Sequence, residues 1–99
     1  MYENNLSPEE FLYSLFMKIE KDLREINTLK EVNNVLNNTK IYEIKKRLLN
    51  VFEMLQVLSP DEELKNLYFK YSSLLITNDK GNIDLLLELF SKSRKQIEN

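Results

Sequence analysis

Apolar residues recur along this chain at intervals of three and four, a period that predicts helices almost from end to end. Phe11, Leu12, Leu15, Phe16, Ile19, Leu23 and Ile26 fall on one face of a helix over about 8–26. Its start is well marked. Ser7 is an N-cap residue, Pro8 suits the first helical position, and Glu10 follows Ser7 at capping-box spacing, so that each side chain can satisfy an orphan backbone N–H. Residues 1–6 carry no pattern and read as a flexible N-terminal tail, with 7–99 as a single helical-bundle domain.

Thr28 and Glu31 repeat the capping-box spacing, and Leu29, Val32, Val35 and Leu36 form a narrow apolar stripe. Together they predict a short helical segment over about 29–37. Asn37-Asn38-Thr39 then reads as a break, because asparagine tolerates a left-handed cap and threonine starts helices. The alternative is one bent helix through 29–58. A long helix over about 40–58 buries Ile41, Ile44, Leu48, Val51, Phe52, Leu55 and Leu58 on its main stripe.

Ser59-Pro60-Asp61-Glu62 copies the first start signal and predicts a helix over about 60–76, with Leu64, Leu67, Tyr68, Tyr71, Leu74 and Leu75 facing inward. Residues 7–18 and 59–70 match only for about one and a half turns, which reads as two helix starts converging on one solution rather than as a repeat. The stretch Thr77 to Asn82, which holds the lone glycine Gly81, is the strongest turn cluster. A last helix over about 83–97 has a wide apolar arc of Ile83, Leu85, Leu86, Leu87, Leu89 and Phe90. Strand signals are weak. The fold class expected is all-α: a compact bundle of four long helices plus the short segment.

Composition narrows the chemistry. The chain has 99 residues, with no cysteine, histidine, tryptophan or alanine. Without cysteine and histidine the usual zinc sites, thiolate nucleophiles and serine–histidine catalysis cannot form. One glycine cannot build a phosphate-cradling loop. The net charge of −2 is no footprint of a general nucleic-acid binder. No run of apolar residues approaches membrane-spanning length, and the first ten residues lack the basic start and apolar run of a signal peptide. The reading is a cytoplasmic, non-enzymatic protein with no cofactor, no metal and no catalytic residue.

The acidic groups Glu9/Glu10 and Asp61/Glu62/Glu63 sit in first helical turns, where they complement the helix dipole. Lys45, Lys46 and Arg47 fan over ~200° of a helix and cannot all face one phosphate track. They read first as a solvated face. Nucleic-acid contact is a minor alternative that needs the fold to unite them with Lys92, Arg94 and Lys95.

The most informative residues are apolar ones off the main stripes. Tyr13 and Met17 lie about 120–160° from the centre of the first helix's stripe. Tyr42 with Leu49, and Phe69 with Ile76, form second stripes at heptad spacing. A chain of this size cannot bury two faces on three helices, and tyrosine, phenylalanine and methionine are enriched at interfaces. These six residues are the expected partner-binding positions. The partner is another protein or a second copy of the chain, and the function expected is that of an adaptor, inhibitor or assembly subunit. A narrower alternative is an immunity- or antitoxin-type neutraliser of a cognate toxin.

Overall fold

The computed structural model describes residues 7–77 and 81–98. They form four helices, α1 (Pro8–Leu29), α2 (Val35–Leu58), α3 (Glu62–Ile76) and α4 (Asn82–Glu98), with no strand among the described residues. The all-α bundle expected from the apolar period is therefore what forms.

Successive helices run antiparallel. Polar pairs from Tyr13–Glu98 at one end to Asn27–Asp84 at the other lay α4 along α1. The closest packing is α1 on α4 and α2 on α3; α1 touches α2 and α3 touches α4 more lightly, while α1 and α3, like α2 and α4, stand diagonally. The core sits where the four apolar stripes converge. Phe90 of α4 is its centre: its ring meets Phe16 of α1 edge-on at 5.4 Å, stacks on Phe52 of α2 at 5.5 Å, and meets Tyr71 of α3 edge-on at 5.2 Å. Such ring pairs add about 0.5–1.5 kcal/mol each beyond the area they bury. Ile19, Leu23, Ile26, Leu48, Leu75 and Leu86 complete a layer closed to solvent.

The predicted short helix over about 29–37 does not form, and neither does the break at Asn37-Asn38-Thr39. α1 runs on to Leu29, because the Thr28 hydroxyl donates to the Arg24 carbonyl instead of capping a new helix. The chain turns at 30–34, and α2 starts after Asn34, whose side-chain oxygen accepts from the Asn37 N–H at 2.7 Å. The Asn37 amide group then donates to the carbonyls of Leu29 and Val32. The asparagines thus satisfy the end of one helix and the start of the next. Val32, Val35 and Leu36 are left exposed.

The two look-alike start signals behave differently. Ser7 and Glu10 form the full capping box, with reciprocal bonds of 3.1 and 3.0 Å. Ser59 does not cap α3. Its buried hydroxyl donates to the Leu55 carbonyl at 2.6 Å and closes α2, so Asp61 becomes the N-cap and α3 begins at Glu62 rather than 60. Only three residues separate these helices, and Ser59 cannot both end one and start the other.

Residues 1–6, read as a tail, lie outside the described residues, as do 78–80 of the turn cluster. Gly81 has no positive φ, so the turn does not draw on glycine's left-handed freedom there. Asn82 instead ties α4 to α3 by donating to the Leu74 carbonyl at 3.1 Å. No described helix is long and apolar enough to cross a membrane.

Candidate protein-docking surface

Three of the six off-stripe residues come together. Tyr42 and Leu49 of α2 and Ile76 of α3 line one open depression of about 370 Å³, with Ile41, Asn38, Lys45 and Lys46 completing its wall. The antiparallel packing of α2 on α3 makes this possible, because it sets the last turn of α3 beside the first half of α2. Tyr42 and Ile76 are well exposed, at 66% and 59%, whereas Ile41 and Leu49 are half-buried and rest on the core. The depression thus has a fixed apolar floor and a free apolar rim.

The other three residues lie elsewhere. Phe69 is exposed on α3 two turns before Ile76 but is not part of the depression's wall. Met17 is exposed on α1. Tyr13 is half-buried, and its hydroxyl donates to the Glu98 carboxylate at 3.0 Å, so it serves the α1–α4 seam. The six do not form one surface.

The basic residues also divide. Arg47 donates to the buried Asp22 carboxylate of α1 at 3.3 Å. Arg94 grips the Glu20 carboxylate, through Nε at 2.6 Å and a second nitrogen at 3.4 Å, and also reaches Glu98. Glu20 is almost wholly buried and takes a further bond from Arg24. The bond to Glu20 holds the Arg94 guanidinium's pKa above its ordinary value. Both arginines are committed to holding helices together. α2 and α4 are diagonal, so Lys92 and Lys95 do not extend the Lys45/Lys46 group into a single track.

Lys45 and Lys46 make no ion pair among the described residues. Partial burial pushes the Lys45 pKa down, and the nearby Lys30 charge adds to the effect. Two uncompensated cations therefore border the apolar depression, with a third close enough to be felt.

Sequence reasoning missed a second apolar surface. At the end of the bundle where α1 and α3 begin, those diagonal helices stand apart. Two joined depressions of about 350 and 400 Å³ open there, sharing Leu12, Leu64 and Tyr68. Phe11, Leu58, Leu64 and Leu67, all on core stripes by their spacing, are exposed as a result. Their period correctly marks an inward face, but period alone does not say how closely the facing helix approaches. The buried pair Glu20–Arg94 was missed too. Its one signal is that Glu20 falls four residues after Phe16 on the apolar stripe, where a carboxylate requires a partner.

No cluster of three metal-ligating side chains occurs among the described residues. Burial raises the pKa values of Tyr68 and Tyr71 above the ordinary tyrosine range, which disfavours their use as bases. The low pKa of Glu10 follows from its capping bonds to Ser7. No protein-family model, curated protein or solved structure matches the chain.

Proposed function

We propose that this protein is a non-enzymatic protein-binding module, a cytoplasmic adaptor, inhibitor or assembly subunit, whose recognition element is the α2–α3 pair. The observation that carries this reading is the depression lined by Tyr42, Leu49 and Ile76, off-stripe residues from two helices joined over a half-buried floor. Apolar side chains brought together at a surface favour association, because the water they order is released when a partner covers them. Tyrosine adds a large contact area at little conformational cost.

The test is affinity capture from the producing cells, with the natural chain beside a Tyr42→Glu/Leu49→Glu double variant. Leu49 also touches the core, so circular dichroism must show the variant equally helical. The expected outcome is a protein retained by the natural chain and lost from the variant. Retention of the same proteins by both, or of none by either, contradicts the assignment.

A further inference from the structure

The floor of the α2–α3 depression is apolar, but its border is not neutral. Lys45 and Lys46 both line it, neither has a carboxylate partner among the described residues, and Lys30 adds its field. The ion pairs among the described residues all use arginines, Arg24 and Arg94 on Glu20, Arg47 on Asp22 and Arg94 on Glu98, and the described lysines are solvent-exposed except Lys45, which is half-buried. Leaving a half-buried lysine unpaired beside apolar surface costs stability unless something outside the chain supplies the counter-charge.

The backbone around the site restricts the shape of what docks there. No strand edge exists among the described residues, so an extended peptide has no ladder to join. The ridges of two antiparallel helices form a groove, the natural seat for a third helix. Its anchor residues would recur at i, i+3 or i+4, and i+7.

We infer that the α2–α3 groove receives an acidic amphipathic helix of a partner protein, with aliphatic or aromatic anchors resting on Ile41, Leu49 and Ile76 and flanking carboxylates paired with Lys45 and Lys46. This inference rests on the reading of the groove as a docking surface and adds the chemistry of its occupant. Nucleic acid fits less well, since the site pairs an apolar floor with two lysines, and the arginines that would extend a phosphate track are committed elsewhere.

The experiment uses two designed helical peptides with the same apolar face, one flanked by glutamates and one by lysines. Titration against the labelled full chain is followed by NMR. The glutamate peptide should bind at least about tenfold more tightly than the lysine peptide, shifting the resonances of Ile41, Leu49 and Ile76 and weakening with salt. A Lys45→Glu/Lys46→Glu variant should reverse the preference, and Tyr42→Glu/Leu49→Glu should abolish binding of both peptides. Equal binding of the two peptides, or preference for the lysine peptide, overturns the charge assignment while leaving the groove as a docking surface. Binding that survives Tyr42→Glu/Leu49→Glu, or shifts confined to other faces, removes the docking surface itself. Failure of both peptides to bind, displacement by a single-stranded oligonucleotide, or a concentration-dependent dimer broken by Tyr42→Glu also overturns the proposal.

Discussion

The two tight seams of the bundle are built from different materials. Along α1–α4, polar contacts run the length of the interface: Tyr13 to Glu98, Arg94 to Glu20, Asn27 to Asp84. Along α2–α3 no side-chain hydrogen bond or ion pair crosses between the helices among the described residues, and the buried residues that meet there, Ile44, Leu48, Leu55, Tyr68, Tyr71 and Leu75, are apolar or aromatic. The outer faces differ in the same sense. Val35, Leu36, Tyr42, Val57, Leu58, Phe69 and Ile76 are more than half exposed on α2 and α3, and no large apolar residue of α1 or α4 reaches that exposure among the described residues. A seam with directional bonds fixes register and orientation, whereas one held by apolar contact can extend outward to a further helix without leaving a buried polar group unpaired. On the proposed reading the α1–α4 side is the frame and the α2–α3 side the contact.

The comparison breaks most severely at the residue that joins the two pairs. Phe90→Ala removes the ring that meets Phe16, Phe52 and Tyr71, and should cost about 4 kcal/mol in urea unfolding. A markedly smaller loss would mean that the two pairs fold independently of their shared centre.

Arg94→Met is the next largest change. It leaves the buried Glu20 with only the exposed Arg24, so the melting temperature should fall clearly further than in Arg24→Met. Equal drops would deny the polar seam its special role.

Burial of Tyr68 and Tyr71 gives the α2–α3 side a pH limit. Their pKa values are raised in the folded state, so the unfolded chain loses its phenolic protons first. Their contribution to stability is complete below about pH 10 and lost as pH climbs through the folded values. Thermal melts from neutral to alkaline pH should show that fall, and Tyr71→Phe should flatten it.

The smallest effect expected is a gain. Lys45→Met removes a partly buried, unpaired cation, so the variant should melt slightly higher at neutral pH. The advantage should shrink as alkaline pH discharges Lys45 in the natural chain. A lower melting point would mean that Lys45 has a stabilising partner within the fold.

Much of this architecture is legible in the sequence, for identifiable reasons. Ser7-Pro8-Glu9-Glu10 forms its box because the Ser7 hydroxyl is free to accept from the Glu10 N–H while the Glu10 carboxylate accepts from the Ser7 N–H. Ser59 reads identically and fails because α2 ends on it. Asn37-Asn38-Thr39 reads as a break, but the cap falls one turn earlier, at Asn34, inside the segment read as a short helix, and Asn37 reaches back to the carbonyl of Leu29. On the surface, heptad spacing puts Tyr42 and Leu49 on one side of α2, and the antiparallel seam brings Ile76 to them and leaves Phe69 aside. The two arginines read as surface charge because their partners, Asp22 and Glu20, lie 25 and 74 residues away.

The central claim is that partners meet the α2–α3 face and not the α1–α4 frame. A photo-crosslinking phenylalanine analogue at Tyr42, compared with the same analogue at the exposed Met17 of α1, tests it directly in the producing cells. The account predicts a discrete crosslinked protein from position 42 and none from position 17. Crosslinking from position 17 alone, or equally from both, would contradict it.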